Sequence, residues 1–215
     1  VSDKSVSNHL NLYYINDWKN GWKMNVFGDY LHKTDRSRGN IREWESDDAE
    51  TSMDYHRKAD WDLFAAKFSL SYETEKAGTF SLGYDFSHTS GTDYIEYIRA
   101  LNNGRTRNTE LKNSLYLSYD YTWNNLSLGA GLRYEHIRSD LRETNDSKSQ
   151  NQTYHNFLPS VSLSYNTESL QQSLTYSIHT ERPPFGVMND NAVYTDRFTY
   201  QKGNLYLKQA LTHDL

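Results

Sequence analysis

The sequence contains no cysteine and no long apolar run, and each absence excludes a class of protein. A 215-residue chain without cysteine is neither a disulfide scaffold nor the host of a cysteine-based metal site. No apolar run approaches the roughly 20 residues that a transmembrane helix needs. The formal net charge of −5 also leaves the chain without the basic surplus that marks nucleic-acid-binding proteins.

Low hydrophobicity does not exclude a membrane protein, because a transmembrane β-barrel needs apolar side chains only on its lipid face. Hydrophobic residues make up 36% of the chain, whereas tyrosine contributes 18 residues and tryptophan 5. The first residue is Val1 and no apolar signal-peptide core follows it, so we expect a mature or excised segment. The chain also stops soon after Thr212 without a completing strand, and we therefore expect a piece of a longer protein.

The stretch from Leu111 to His136 has the clearest pattern. Apolar side chains occupy alternate positions on both sides of Asn124 and Asn125. A period of two places apolar and polar side chains on opposite faces of a strand. Because asparagine tolerates a positive φ angle, the break predicts a tight hairpin turn. Each arm is long enough for the roughly 9–11 residues with which a tilted strand crosses a bilayer.

The same alternation recurs along the chain and predicts about eight strands. They lie near Ser7–Asn16, Trp22–His32, Asp60–Tyr72, Phe80–Ser87, Leu111–Trp123, Leu126–Tyr134, Phe157–Tyr165 and Leu174–Ile178. Polar, aperiodic stretches between them predict long loops at Lys33–Thr51, Thr89–Glu110, Glu143–Gln152 and Thr180–Leu211. These long loops alternate with short turns, as extracellular loops and periplasmic turns do in outer-membrane barrels.

Aromatic residues cluster beside the short turns and predict a girdle at the periplasmic membrane boundary. They are Trp18, Trp22, Tyr72, Phe80, Tyr121, Trp123 and Tyr165. The residues between the apolar positions are mostly small and polar, which indicates a water-filled or plugged lumen. The predicted fold is therefore an all-β, antiparallel up-and-down transmembrane β-barrel, in which residues 1–215 form one partial barrel domain.

The tail from Arg182 contains a recognisable motif. It combines an Arg-Pro pair, a following Asn, an aromatic-rich stretch, a Gly-Asn pair and a Leu-Lys pair before a final strand. The matching residues are Arg182, Pro183, Asn189, Tyr194, Tyr200, Gly203, Asn204, Leu207, Lys208, Thr212 and Leu215. The motif resembles the late-barrel signature of TonB-dependent receptors of the Bacteroidetes type, in the outer membrane protein beta-barrel family. Leu205, Gln209 and Ala210 depart from it where Pro, Pro and Glu are usual.

The resemblance implies a Gram-negative outer-membrane protein that imports a scarce nutrient, such as a siderophore, glycan, peptide or cofactor. It implies a barrel of 22 strands with an N-terminal plug, of which these are about eight consecutive strands. The implied partners are outer-membrane lipid and lipopolysaccharide, TonB acting through a segment outside this sequence, and a surface lipoprotein. We expect no bound cofactor and, from the negative net charge, no nucleic-acid partner.

Two alternatives remain open from the sequence. A small closed barrel would serve as a structural or adhesive outer-membrane protein. A soluble β-sandwich would bind carbohydrate and bury its leucines in a dry core between two sheets. The barrel instead predicts outward-facing Leu115, Leu117, Leu128 and Leu132, with Ser118 and Gly129 facing the lumen.

Six histidines lie near the predicted long loops: His32, His56, His88, His136, His155 and His179. Such a ring could bind haem or a metal. However, the alternation places His32, His88, His136 and His155 on the apolar register and only His179 inward, and His56 lies too far from its predicted strand to assign. We therefore favour a polar rim for the histidines over a metal site.

The acidic residues of the first long loop could chelate a hard cation such as Ca²⁺. They are Glu43, Glu45, Asp47, Asp48 and Glu50. Their spacing does not match a known calcium loop, and Arg36, Arg38 and Arg42 lie beside them, so a solvated loop is the preferred interpretation.

Loop aromatics are the best candidates for cargo contact, since apolar rings with polar edges stack on sugars, peptides and planar chelates. They are Trp44, Tyr55, Tyr94, Tyr97, Tyr194, Phe198 and Tyr200. The alternative is that these rings extend the strands as packing at the outer rim. The sequence has no nucleophile elbow, phosphate-binding loop or HExxH motif, so we predict no catalytic residue and no enzymatic activity.

Overall fold

The computed structural model describes residues 1–44, 50–98, 103–143, 149–189, 191–196 and 198–215. At positions 43–44 and 50–51 it describes the backbone alone. Within these ranges the chain forms the following elements: β1 (Ser2–Asp17), β2 (Trp22–Trp44), β3 (Glu50–Thr74), β4 (Gly78–Ile98), β5 (Gly104–Trp123), β6 (Leu126–Glu143), β7 (Ser149–Asn166), β8 (Gln171–Glu181), α1 (Phe185–Met188), β9 (Val193–Tyr194), β10 (Tyr200–Gln201) and β11 (Ala210–Asp214).

One antiparallel sheet of nine strands dominates the structure, in the order β1-β2-β3-β4-β5-β6-β7-β8-β11. This confirms the predicted all-β, up-and-down architecture, with nine strands where the sequence indicated about eight. The only other sheet in the described ranges joins β9 to β10. The soluble sandwich is therefore wrong, because no second large sheet within these ranges covers the first. No helix in the described part of the chain has the length and apolarity to span a membrane.

The pairing registers define two faces of the large sheet. Leu117 pairs with Leu82 and Leu132 and is 55% exposed, and its face is called the outer face. Ser118 lies on the opposite, inner face. The leucines predicted to face outward are all exposed there: Leu115, Leu117, Leu128 and Leu132. A single layer with exposed leucines on one face is what a barrel wall requires of its lipid side.

The predicted long loops are in large part wrong. β2 continues to Trp44 and β3 begins at Glu50, so most of the stretch 33–51 is strand. Likewise β4 runs to Ile98, β5 starts at Gly104 and β7 starts at Ser149. In the extensions the outer face is polar as well, which removes the alternation on which the strand prediction depended. The two ends of the sheet do differ, because the stretches predicted as long loops at one end are extensions of the strands.

The short turns match the sequence prediction. The chain reverses at Asn124 and Asn125 between β5 and β6, and Asn124 adopts a φ angle of 52°. Asparagine reaches this left-handed region at lower cost than most side chains. This end of the sheet, which also holds the turns between β1 and β2, β3 and β4, and β7 and β8, is called the lower end.

An aromatic row follows the lower end on the outer face. The rings of Trp22 and Tyr72 lie 4.7 Å apart between centroids, and those of Phe80 and Tyr119 lie 4.6 Å apart. Trp123 and Tyr165 are exposed at the same end. Amphipathic rings prefer the boundary between membrane and water, so the row has the position of the predicted lower girdle.

A second row, the upper tyrosine row, repeats one contact on four strands. The hydroxyl of each tyrosine bonds to a polar side chain on the next strand of the sheet. The pairs are Tyr30 with Asp62 (2.8 Å), Tyr84 with Asn113 (2.6 Å), Tyr134 with His155 (2.7 Å) and Tyr176 with His213 (2.9 Å). On β2, Trp22 and Tyr30 are eight residues apart, about 26 Å along a strand. The roughly nine residues from one row to the other are close to the roughly 9–11 with which a tilted strand crosses a bilayer, so the two rows bound an apolar band that matches the lipid layer.

The tail, residues 182–209, packs against the inner face beyond the upper tyrosine row. Its α1 residue Met188 and its Leu205 form an apolar cluster with Leu141 of β6. A second cluster joins Met53, Ile95 and Tyr97 of β3 and β4, and Tyr194 of the tail packs against it. Both buried apolar clusters thus lie where the tail packs on the wall, while the lower half of the sheet has no such cluster among the described residues.

Candidate functional site

A polar network fixes the tail to the inner face. Asp93 of β4 is 7% exposed; its carboxylate accepts from Arg57 Nε at 3.0 Å and from the Asn189 side-chain amide at 2.6 Å. The Asn191 amide donates to the Asp93 carbonyl oxygen at 3.2 Å. Thr106 of β5 donates to the amide oxygens of both asparagines, at 2.9 and 3.1 Å. A buried carboxylate with this many donors is stable only when all stay in place, so the network specifies one position for the tail.

The motif residues of the tail hold this segment together. The Gly203 N–H donates to the Asn189 carbonyl, and the Asn204 N–H donates to that of Val187, both at 2.9 Å. A Cβ atom at Gly203 would lie 2.3 Å from the Asn189 carbonyl oxygen, so this approach requires glycine. Arg182, at the start of the tail, forms an ion pair with Glu110 of β5. Thr212 pairs with His179 where β11 joins β8.

Two departures from the family motif have structural roles. Leu205, where proline is usual, is 3% exposed and packs against Met188 and Leu141. Gln209 exchanges side-chain hydrogen bonds with Asn156 of β7, at 2.7 and 3.4 Å. Proline has no side-chain donor or acceptor for the bonds that Gln209 makes, and these bonds attach the tail to β7.

A cavity of about 480 Å³ lies between the tail and the inner face of β1–β5. Its apolar wall is formed by Trp61, which stacks on Phe185 of α1 with 5.6 Å between ring centroids. The polar lining includes Arg57 and Asp93, and Asn108 completes the β5 side. A volume of this size with one aromatic wall and a few polar groups is typical of a small-molecule site.

Asn108 is the least satisfied polar side chain of the cavity. It is 3% exposed, and neither its amide nitrogen nor its oxygen has a hydrogen-bond partner among the described residues. A buried unpaired amide costs about 1–3 kcal/mol, which a hydrogen-bonding molecule in the cavity would recover. The Asn108 amide is therefore an unmet donor and acceptor in the wall of the cavity.

Four of the predicted aromatics come together as a chain of rings. Centroid distances are 6.2 Å between Tyr55 and Tyr97, 5.3 Å between Tyr97 and Tyr194, and 5.4 Å between Tyr194 and Tyr200. The Tyr97 hydroxyl donates to the Ala192 carbonyl at 3.0 Å and accepts from the Tyr194 N–H. Burial raises the pKa of Tyr97, so its phenol stays protonated at neutral pH and keeps this bond. These rings join wall and tail; Tyr55 and Tyr97 are strand residues, which corrects their assignment to loops.

The other predicted aromatics are placed differently. Tyr94 lies on β4, not in a loop, and shares the outer-face register of Phe80 and Tyr84. Phe198 is 79% exposed at the tip of the β9–β10 hairpin. There its N–H and that of Thr199 bond to the Asp196 carboxylate at 2.7 Å each. The bond from the Phe198 N–H holds the pKa of Asp196 below its usual range. The side chain of Trp44 lies outside the described residues.

The histidines follow the predicted registers. His136 and His155 are a direct cross-strand pair on the outer face, with 4.8 Å between ring centroids. His32 lies 2.9 Å from Asp62 on the same face, and His179 lies 2.9 Å from Asp214 on the inner face. His88 pairs with Leu111 on the outer face, and His56, which the sequence left unassigned, shares that register. In the described part of the chain, no three His, Asp or Glu residues are arranged to hold a metal ion.

The acidic stretch of the predicted first loop is largely outside the description. Residues 45–49 are not described, which includes Glu45, Asp47 and Asp48, and the same holds for the side chains of Glu43 and Glu50. The calcium hypothesis for this stretch therefore stays a hypothesis.

Sequence reasoning missed a charged cluster on the inner face, nearer the lower end than the cavity. Glu135 is 3% exposed and accepts from Lys112 and Arg133, each at 2.8 Å. Arg133 also bonds to Asp85 at 2.7 Å, and its guanidinium lies 5.9 Å from the centre of the Tyr116 ring. These residues come from β4, β5 and β6, so only the strand registers bring them together. The signal available in the sequence was charge at inward positions of neighbouring strands.

A sequence comparison agrees with this structure, in which the sheet carries two aromatic rows on its outer face and the tail on its inner face. The model of the outer membrane protein beta-barrel family matches residues 16–215. The chain belongs to this family. The predicted location in the outer membrane and the partial-barrel fold are thereby confirmed. No curated protein matches the chain in sequence.

Solved structures share the fold of this outer membrane β-barrel chain. The unliganded ferric citrate transporter FecA superposes with a TM-score of 0.70 at 15% identity, over 83% of this chain and 28% of FecA. The ferric yersiniabactin uptake receptor FyuA from Yersinia pestis gives 0.60 at 11% identity, over 83% and 28%. P. aeruginosa FpvA, bound to heterologous pyoverdines, gives 0.56 at 12% identity, over 82% and 26%. The chain spans little more than a quarter of each.

Proposed function

We propose that this chain is part of the barrel wall of a TonB-dependent active importer, of the Bacteroidetes type, that carries a scarce nutrient across the outer membrane. The observation that carries the proposal is the cavity of about 480 Å³ on the inner face of an outer-membrane barrel sheet. The cavity lies beyond the upper tyrosine row, away from the short turns. In outer-membrane barrels the short turns are periplasmic, so the end of the sheet that holds the cavity faces the medium.

The open sheet favours an importer over a small structural or adhesive barrel. β1 and β11 are the two edges of the nine-stranded sheet and do not pair with each other. Unpaired strand edges are not tolerated in hydrocarbon, so further strands must complete the wall. A barrel of 22 strands has a wide lumen that a plug can fill, in contrast to a narrow eight-stranded barrel.

Cargo contact is assigned to the inner-face aromatics and the cavity. Tyr194 and Tyr200 on the β9–β10 hairpin are the first candidates, and Trp44, Tyr55 and Phe198 are additional ones. Tyr97 is 5% exposed and joins the tail to the wall, so it supports the neighbouring rings and does not itself contact cargo. Tyr94 is excluded from our proposal because it shares the outer-face register. The cargo class stays at a scarce nutrient, namely a siderophore, glycan, peptide or cofactor. Proteins of the same fold that handle ferric citrate, ferric yersiniabactin and ferric pyoverdine make an iron chelate the first class to test.

The importer needs partners beyond this segment. TonB would pull on an N-terminal segment outside this sequence to energise transport. A surface lipoprotein would cover the extracellular mouth, and outer-membrane lipid and lipopolysaccharide would surround the wall.

Uptake by cells tests this proposal directly. We expect cells that carry the full-length protein to take up its nutrient only when TonB and the proton gradient are intact. Replacement of Tyr200, which is 55% exposed, by alanine should lower cargo affinity about tenfold, as loss of a stacking contact does. Tyr94→Ala is the matched control, because this tyrosine faces outward. Uptake that continues without TonB would contradict active import and favour a passive barrel.

A further inference from the structure

A basic depression of about 540 Å³ lies on the outer face above the upper tyrosine row. Its basic residues are Arg107 on β5 with Arg138 and Arg142 on β6, and Asp140 is its one carboxylate. His88, Thr109 and Leu111 complete the lining. The depression faces away from the cavity and the tail, and the import proposal gives it no role.

The strand registers force these arginines together. Arg107 pairs directly with Arg142, Thr109 with Asp140, and Leu111 with Arg138. Like charges directly opposite each other on a sheet face destabilise it unless something neutralises them. The neighbouring strands supply no carboxylate, since Ser90 and Thr92 flank the depression on β4 and Asn151 and Thr153 on β7.

Asp140 neutralises only one of the three guanidinium groups. Arg142 binds it through Nε and a terminal nitrogen, both at 2.8 Å. The Arg142 hydrogen bond holds the pKa of Asp140 below its usual range, so the carboxylate is ionised at neutral pH. Within the described residues, Arg107 and Arg138 have no carboxylate at ion-pair distance. Three cations against one anion leave a local charge of about +2 in a chain whose formal net charge is −5.

The height of the depression matches the headgroup layer of the outer leaflet. Arg138 lies four residues above Tyr134 of the upper tyrosine row, about 13 Å along a tilted strand. Arginine side chains can bend toward the interface and shorten this distance by several ångströms. Leu111, which pairs directly with Arg138, adds an apolar contact two residues above Asn113 of the upper tyrosine row. A molecule bound here would have acyl chains on the band and an anionic headgroup at the arginines.

We propose that this depression, formed by Arg107, Arg138 and Arg142, binds the phosphorylated sugar headgroup of an outer-leaflet glycolipid. Guanidinium groups bind phosphate oxygens in pairs, and Thr109 adds a hydroxyl for a sugar or phosphate oxygen. Two unpaired arginines on adjacent strands suit a headgroup with more than one phosphate. The proposal depends on the outer-membrane location of the wall and not on the cargo or on transport.

The test uses the purified full-length protein in neutral detergent and lipopolysaccharide that carries both lipid A phosphates. We expect the double variant Arg107→Gln/Arg138→Gln to bind this lipid about a hundredfold more weakly than the native protein, about tenfold for each lost charge-assisted contact. The matched control Arg38→Gln/Lys58→Gln removes the same charge from the outer face of β2 and β3 and should bind as the native protein does. Heat-modifiable migration in gels checks that each variant is folded.

Two further probes separate the glycolipid from other anions. Lipopolysaccharide stripped of its phosphates should bind no better to the native protein than to the double variant. Inorganic pyrophosphate should compete only at millimolar concentration, because it lacks the acyl chains. Equal lipid binding by both double variants would overturn the proposal, and so would pyrophosphate binding as tight as that of the lipid. Cargo uptake measured in the same strains should be unaffected by Arg107→Gln/Arg138→Gln, so failure here is distinct from failure of the import proposal.

Discussion

At the scale of single residues, adjacent positions of a strand differ in their surroundings: one faces lipid and the next faces the lumen. Leu117 is 55% exposed between Leu82 and Leu132, in the middle of the apolar band. Ser118 follows it in the chain and lies on the inner face between Ser81 and Gly131. The two positions therefore form an internal pair for testing which side faces lipid.

We expect Leu117→Arg to lower the free energy of unfolding in lipid by about 2–4 kcal/mol, the cost of a cation near the bilayer midplane. Ser118→Arg is the control and should cost less than about 1 kcal/mol, because its side chain projects toward the polar lumen. Urea titration of the full-length protein in bilayers measures both values. Equal costs for the two variants would contradict the assignment of the faces.

Single residues also explain what sequence reasoning could reach. The alternation around Leu117 depends on neighbours two positions apart, so it could be recognised from the sequence alone. The contacts of Asp93 with Asn189 and Asn191 join residues more than 90 positions apart and leave no local signal. Asn189 was identified through a family motif, whereas Asn191 and the shared partner Asp93 emerged only from the structure.

At the scale of elements, the tail keeps its own conformation through close backbone contacts within it, and Gly203 is central to them. Gly203→Ala would place a methyl group 2.3 Å from the Asn189 carbonyl oxygen, so the backbone must shift, and the bonds from the Gly203 N–H to Asn189 and from the Asn204 N–H to Val187 weaken. We expect the folded tail to lose about 1–3 kcal/mol, the net value of two such bonds. Hydrogen exchange of the amides in 185–205 of the full-length protein should accelerate accordingly.

Gly186 in α1 provides the control for this change. A Cβ atom there would meet nothing within 4 Å, so Gly186→Ala should leave the exchange rates unchanged or slower. If both substitutions had the same effect, the close approach at Gly203 would not be what holds the tail.

Strand lengths were the main error of the sequence interpretation, and the reason is physical. Between the two aromatic rows one face is apolar, so the period of two is visible. Beyond the upper row, β2 and β3 carry polar side chains such as Lys58 and Asp60 on the outer face, because water replaces lipid there. A strand that is polar on both faces looks like a loop, although its backbone ladder continues.

At the scale of the whole molecule, the edges of the sheet make a prediction about the longer protein. β1 and β11 each have one unpaired side within this chain, and lipid cannot satisfy the exposed backbone groups. We expect both edges to pair with further strands of a closed barrel. In hydrogen exchange on the full-length protein, the β1 amides that point away from β2 should be protected as strongly as those bonded to β2. Rapid exchange of these amides would indicate that the sheet ends at β1.

The order of the strands has a consequence for assembly. From β1 to β8 each strand pairs with the next one in the chain, so every added hairpin finds its neighbour already in place. Such local pairing carries a small loop-closure cost and lets the wall grow one hairpin at a time. The hydrogen bond between Asn189 and Asp93, by contrast, joins residues 96 positions apart, so it can form only after β4 has its place in the sheet. The tail should therefore dock last, after the wall that receives it has been built.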